Sequence, residues 1–426
     1  VPVGLARFSI HSDLPEIFHT PGVLYTTRPI LPPFDTFRDG PLEERMRTQR
    51  SAPDFEHITG DFEVFLYHMT EPGYGKAPRR IGVLVENVGQ DPVTIQAGEI
   101  MESTGKMAGE DGPEMRLARR YHHRDFRPRY RPVTIQPGAV ELIALTPRFG
   151  DGLVSIANDP VPEEDRSVSK FVTGQVLAQV DPSTPKPKLH VHVVGMDAPV
   201  AGSPDGSERD EWTKRGRALL DRGAKSGETY MDLRIEPPPC HVRRVAGVYE
   251  TFRWEGSATV TYRDIATTDV RFLMALPAAQ ATTCPEAVQT QQLLRWPPYV
   301  RPETIGNYMV MYLVHLTLDN SQEIEDRDFD LRFGKQDASI GLSWQVASGT
   351  LSAEDEAWKS VPLQSGWAGA WTKGDLLDNT EPFSHAPVRV EAGQTKKLSF
   401  LFTVAGTSSL PFQVHVSSQR PERSEP

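Results

Sequence analysis

The residues best equipped for chemistry lie in a basic run, MRLARRYHHRDFRPRYR, from Met115 to Arg131. Guanidinium groups bind carboxylate, sulfate or phosphate in a two-pronged way, and the interleaved aromatics suit stacking on sugar rings or on Arg planes. The pattern nominates Arg119, Arg120, Tyr121, Arg124, Arg127 and Arg129 as binding residues. A plainer alternative is a solvated loop whose arginines pair with surplus carboxylates. A second candidate is LHVHV, Leu189 to Val193, where strand alternation puts His190 and His192 on one face. Two such imidazoles ligate copper or zinc if a third ligand arrives, and His122 or His123 could supply it. The competing expectation is a His-x-His strand that faces solvent.

Other polar features read as structural. His68 shares a face with Phe62, Val64 and Leu66, which predicts a satisfied, partly buried histidine; His315 stands in a similar phrase. Asp326, Asp328 and Asp330 alternate, but a calcium loop needs Gly and Glu where Leu331 and Asp337 stand. Period two instead sends all three carboxylates to water. There is no GxSxG, no HExxH and no Walker loop. The chain has 57 acidic residues, so a carboxylate pair for glycoside hydrolysis cannot be picked out by sequence. Trp358, Trp367 and Trp371 form either a sugar-stacking platform or filler between sheets.

Cys240 and Cys284 are the only cysteines, each in a Pro-flanked loop at one end of a predicted hairpin. A bridge between them is geometrically plausible and would contribute roughly 4 kcal/mol in the chain-entropy model, in an oxidising compartment. Two free thiols are the alternative.

The elements that must position these residues are short strands. The 426 residues contain 37 Pro and 33 Gly, a breaker density that forbids long helices almost everywhere. A net charge of -11 argues against a general nucleic-acid binder. No apolar run is long enough for a transmembrane helix. The chain opens on Val1 without a basic, apolar leader, as expected of an exported protein whose signal segment has been removed.

Ile81 to Ile95 reads as strand, polar turn and strand, and Tyr308 to Phe333 repeats the idea. Each is followed by a strand that breaks at a Gly and resumes, Val133 to Leu145 and Val388 to Phe402. Phe62 to Thr70 is apolar on both faces, hence a central strand. A short helix is predicted over Pro41 to Gln49, and a loop over Gly98 to Pro113. Glu208 to Asp221 is the one convincing helix; with only Trp212, Leu219 and Leu220 apolar, it is expected on a surface.

Four phrases occur in a telling order: PGVLYTTRP at Pro21 to Pro29, the EW...LL.RG helix at Glu211 to Gly223, RRVAGV at Arg243 to Val248, and GNYMVMY at Gly306 to Tyr312. Together they resemble a family of exported proteins of unknown function best represented in cyanobacteria. The resemblance spans nearly the whole chain, with Glu99 to Tyr130 departing from the pattern. It implies export to the periplasm or cell surface and a β-rich fold, and brings no catalytic residues.

The resulting expectation is an all-β protein of two antiparallel β-sandwich domains, Ig-like or jelly-roll-like. Residues 1–200 form the first with an irregular N-terminal arm, 201–230 a linker with the helix, 231–416 the second domain, and 417–426 a disordered tail. The leading functional expectation is a non-enzymatic, cofactor-free envelope protein that binds envelope polysaccharide or other envelope proteins. The alternatives are an extracellular carbohydrate-active hydrolase and a periplasmic copper- or zinc-binding protein.

Overall fold

Alternating β-branched and aromatic residues produce strands through most of the chain. The computed structural model describes residues 6–13, 21–30, 48–70, 79–97, 101–105, 132–146, 170–197, 207–222, 246–250, 253–266, 270–274, 293–298, 311–334, 342–348, 359–361, 388–404 and 412–418. Among these are 22 strands in four sheets and two helices, α1 (Ser207–Arg222) and α2 (Tyr262–Ile265), so the protein is all-β.

The largest sheet runs β3 (Arg50–Ser51), β15 (Arg295–Trp296), β12 (Ala246–Tyr249), β1 (Phe8–Ser12), β4 (Phe62–Thr70), β10 (Lys170–Val180), β6 (Val93–Ala97) and β8 (Val133–Ile135). A ninth strand, β7 (Met101–Gly105), also pairs with β10. Strands from both sides of the 201–230 stretch therefore share this sheet. The second sheet runs β2 (Gly22–Thr26), β11 (Leu189–Asp197), β5 (Arg79–Asn87) and β9 (Val140–Leu145). The third runs β13 (Arg253–Thr261), β16 (Met311–Asp319), β21 (Thr395–Val404), β18 (Leu342–Ser348) and β19 (Lys359–Val361). The fourth runs β14 (Val270–Met274), β22 (Phe412–Ser417), β17 (Arg327–Gly334) and β20 (Val388–Val390).

Strand β4 lies between β1 and β10 and is buried on both faces, as its two-sided apolar sequence requires. Phe62, Val64 and Leu66 point into one core with Ile81, Val83 and Val85 of β5 and Leu189, Val191 and Val193 of β11. His68 is satisfied there, 2.9 Å from Ser12 Oγ.

Two expectations about pairing are corrected. Neither strand-turn-strand phrase is a hairpin: β5 belongs to the second sheet and β6 to the first, while β16 belongs to the third and β17 to the fourth. The broken strands cross in the opposite sense, β8 to β9 and β20 to β21. One corner is thus built twice. Asn87, fully buried, donates Nδ2 to Asp91 O (2.8 Å) and Ile135 O (2.9 Å). Asn320, also fully buried, donates to Glu325 O (2.9 Å), Val390 O (3.0 Å) and Glu391 O (3.0 Å).

The backbone repeats the match. Gly138 N donates to Asn87 O and Asn87 N to Ala139 O; Gly393 N donates to Asn320 O and Asn320 N to Gln394 O. Gly138 and Gly393 have φ of 73° and 72°, a region where other L-residues are strained, which explains the Gly at both breaks. The amide side chain does at each corner what a ladder bond would do in a hairpin. The sheets are also not purely antiparallel, since β1 pairs with β4, and β13 with β16, in parallel.

Three smaller corrections follow. The polar stretch expected as a loop contains β7. Of the three aspartates expected in water, Asp326 and Asp328 are exposed, Asp326 also accepting Ala392 N at 3.0 Å and pairing with Arg389, whereas Asp330 is buried. Helix α1 lies on the surface as expected, with Asp210, Glu211, Lys214 and Asp221 exposed, but against expectation it also forms a core of its own. Trp212 and Leu220 are buried against Val23, Leu84, Leu142, Val194 and Met196 on the outer face of the second sheet. Gly216 permits this close approach, because a Cβ there would lie 2.7 Å from Leu84 Cδ2.

The same helix caps the edge of β9 that no other strand among the described residues pairs with. Arg209 donates to Leu142 O, Arg217 donates to Val140 O, and Thr213 Oγ1 accepts Leu142 N. An unpaired strand edge would otherwise template association with another chain. The helix predicted over Pro41 to Gln49 lies outside the described residues except at Thr48 and Gln49. The same holds for the stretch Leu153 to Ala157, for Trp358, Trp367 and Trp371, and for the tail from residue 419.

Candidate functional site

Strand β11 directs Leu189, Val191 and Val193 into the core, so His190 and His192 point to the outer face of the second sheet. The two histidines adjoin the part of that face covered by α1 and have a cover of their own. Both are buried, which corrects the expectation of a solvent-facing pair. The cover comes from residues far apart in sequence: Thr26 to Arg28 after β2, Gln49, the 52–58 loop, and Arg295 of β15.

His192 Nδ1 lies 2.8 Å from Thr26 Oγ1. Its Nε2 faces Glu86 Oε2 at 3.4 Å, longer than a good hydrogen bond. Arg28 grips both Glu86 oxygens, Nε at 2.8 Å and Nη2 at 2.9 Å. Gln49 Nε2 ties the segment down by donating to Thr26 O (2.7 Å) and Arg28 O (2.5 Å). Burial alone would raise the Glu86 carboxyl, but the hydrogen bonds and charges of His192 and Arg28 outweigh it and hold Glu86 down to about 2. Burial keeps His192 below its ordinary value.

His190 Nδ1 is 3.4 Å from Thr27 Oγ1, which also accepts Val191 N at 2.9 Å. Its ring lies 5.1 Å from that of His57, tilted by 40°. Burial, then the neighbouring His192, His57 and Arg295, bring His190 down to about 3. His57 is lowered too, chiefly by burial. Both imidazoles are therefore neutral at neutral pH.

A second buried polar row lies on the other face of the largest sheet. His11 packs between Phe65 and Tyr249, with ring centroids 5.1 Å and 5.4 Å away, and burial lowers it to about 3. Gln175 Nε2 donates to Glu63 there at 3.1 Å.

Among the sequence-predicted site residues, the structure thus brings His190 and His192 together in one buried cluster. Arg119, Arg120, Tyr121, Arg124, Arg127 and Arg129 lie outside the described residues, as do His122, His123, Cys240 and Cys284. Among the described residues no group of three or more His, Cys, Asp or Glu side chains is arranged to hold a metal ion. Sequence reasoning missed Thr26, Thr27, Arg28, Gln49, His57, Glu86 and Arg295. The one available signal was the Thr-Thr-Arg sequence at 26–28, polar residues where the apolar strand β2 ends.

No protein-family model matches the chain, and no curated protein matches it. Among solved structures, vicilin from Capsicum annuum shows 8% identity over 87% of this chain and 84% of that one, with a TM-score of 0.10, at which the likeness carries no argument.

Proposed function

We propose that this chain is a non-enzymatic, exported component of the cell envelope that binds an anionic surface polymer or other envelope proteins. The contact is the Arg116 to Arg131 segment, with Arg119, Arg120, Tyr121, Arg124, Arg127 and Arg129 as the binding residues. The scaffold is two stacked-sheet units of the β-sandwich kind, a reading supported by the duplicated corner at Asn87 and Asn320. Export rests on the resemblance to the cyanobacterial family.

The observation that carries the non-enzymatic reading is the two-pronged hold of Arg28 on Glu86. Glu86 is the carboxylate that reaches the buried histidines. A carboxylate kept ionised and gripped at both oxygens is poorly suited to general acid or base work at neutral pH, which needs a proton exchanged near that pH. The basic segment on a chain of net charge -11 supports binding to a polyanion, with aromatics available for its sugar rings.

Purified protein on immobilised envelope polysaccharide tests the reading. Retention that salt disrupts, without new reducing ends, is expected. Steady release of reducing ends that Glu86→Gln abolishes would overturn it in favour of a hydrolase.

A further inference from the structure

Arg295 is only 4% exposed, and the carboxylate that acts on it, Glu56, does so at a distance and forms no direct ion pair with it among the described residues. Its guanidinium donates to Ser51 Oγ (2.9 Å), Phe55 O (3.2 Å) and Thr27 O, and lies 4.9 Å from the Phe55 ring. Carbonyl dipoles solvate that charge without neutralising it, whereas buried charges are as a rule paired.

The surroundings are mixed: burial disfavours the Arg295 charge while Tyr25 and Glu56 favour it. His57 and His190 both feel Arg295, and His57 also feels Lys188, the exposed residue that precedes β11. On the acidic side, Glu86 on β5 is already spent on Arg28. Glu56 is highly exposed and 3.8 Å from His57 Nδ1. Tyr25 on β2 is held protonated, with burial pushing its hydroxyl up further than Arg295 pulls it down. His192 is fixed through Nδ1 by Thr26, and its Nε2 faces Glu86 at 3.4 Å. Arg295, Arg28 and Lys188 outnumber Glu56 and Glu86 around the pair, so the site favours an anion over a cation.

We propose that the His57–His190 pair, backed by Arg295 and flanked by Lys188, is a binding site for a tetrahedral oxyanion, a sulfate or phosphate group free or carried on a polymer. Thr27 Oγ1 lies 3.4 Å from His190 Nδ1, so Nε2 is the nitrogen the proposal assigns to the ligand. His57, 24% exposed at its side chain, is the more accessible ring of the pair. Each neutral imidazole offers one N–H, and the bound anion compensates the charge when an imidazole takes up a proton. Binding is thus coupled to proton uptake and tightens as the solution is acidified. The site does not use the Arg116 to Arg131 segment and stands independently of the envelope reading.

The test is calorimetric titration of the full chain with inorganic sulfate, and separately with sulfated dextran, at about pH 5.5 and about pH 7.5 with chloride holding ionic strength constant. Sulfate affinity should rise on acidification, by up to about tenfold per pH unit for each proton taken up. His57→Asn and Lys188→Ala, both at the surface, should each weaken binding, and His57→Asn should flatten the pH dependence. Dextran binding without sulfate binding, still lost in His57→Asn, would assign the site to a polymer substituent. Sulfate binding no tighter than chloride, or unchanged in His57→Asn, would overturn the proposal. Dextran retention insensitive to His57→Asn but lost on removal of Arg119, Arg120, Arg124 and Arg127 would sink this site while leaving the basic segment standing.

Discussion

Asn87→Ala removes one side chain from a corner that the fold uses twice. The amide donates to two carbonyls, Asp91 O and Ile135 O, and its Oδ1 accepts Gly89 N at 3.0 Å. Each of the three lost bonds is worth about 1 kcal/mol net, and a buried carbonyl left without a partner adds about 1 to 3 kcal/mol, so the expected loss is about 4 to 6 kcal/mol. Asn320→Ala, which strips three carbonyls, should cost at least as much. Asn87→Asp is the sharper probe, because the ionised carboxylate faces carbonyl oxygens and can donate nothing. Its folded pKa must rise, so the penalty is largest at neutral pH and shrinks as the pH falls and the carboxyl regains a proton to donate. Equilibrium urea unfolding followed by tryptophan fluorescence measures all three. A loss under about 1 kcal/mol for both alanine variants would refute the claim that these amides hold the sheet crossings.

Further outcomes follow from the same contacts. His11 and His190 sit at about 3 against an ordinary 6.5, so their contribution to stability is full above about pH 6.5 and drains away as the pH falls toward 3. The slope is about 1.4 kcal/mol per pH unit for each histidine. Melting temperature against pH should fall steeply between those limits in low-sulfate buffer, and His190→Asn should lessen the slope; a flat profile contradicts the burial argument. Gly216→Ala gains about 1 kcal/mol of helix propensity but forces a Cβ to 2.7 Å from Leu84 Cδ2, and a net loss of about 1 kcal/mol is expected, relieved by Leu84→Ala in a double-mutant cycle. Replacing Arg209 and Arg217 together by Ala uncovers the carbonyls of Leu142 and Val140, and light scattering should then show concentration-dependent association absent from the parent protein.

The strands were legible because side-chain alternation is local: Phe62 to Thr70 is read from sequence with the bounds that the structure gives. The pairing was not. A strand, an Asn-containing turn and a second strand look alike whether they fold back in one sheet or pass between two. What separates the cases is the partner of the Asn amide, at Ile135 and Val390, 48 and 70 residues away. The repeated clue was the Gly in both returning strands, visible as a break but silent about direction. Helix α1 was legible as a surface element, but its sparse apolar residues hid the core it forms on the second sheet, and its arginines, bonded to the edge of β9, give it a role that hydrophobicity does not register. His190 and His192 were read as exposed for a related reason. Alternation shows only that they oppose Val191, and the residues that bury them arrive from Thr26, Gln49, His57 and Arg295.

The central functional claim is that the basic segment makes the contact with an anionic envelope polymer. Retention of the full chain on native envelope polysaccharide, compared with a variant in which Arg119, Arg120, Arg124 and Arg127 are all Ala, tests it most directly. The account predicts tight, salt-sensitive retention of the parent and loss of retention in the variant with its melting temperature unchanged. Equal retention of the two proteins across the salt series would contradict it.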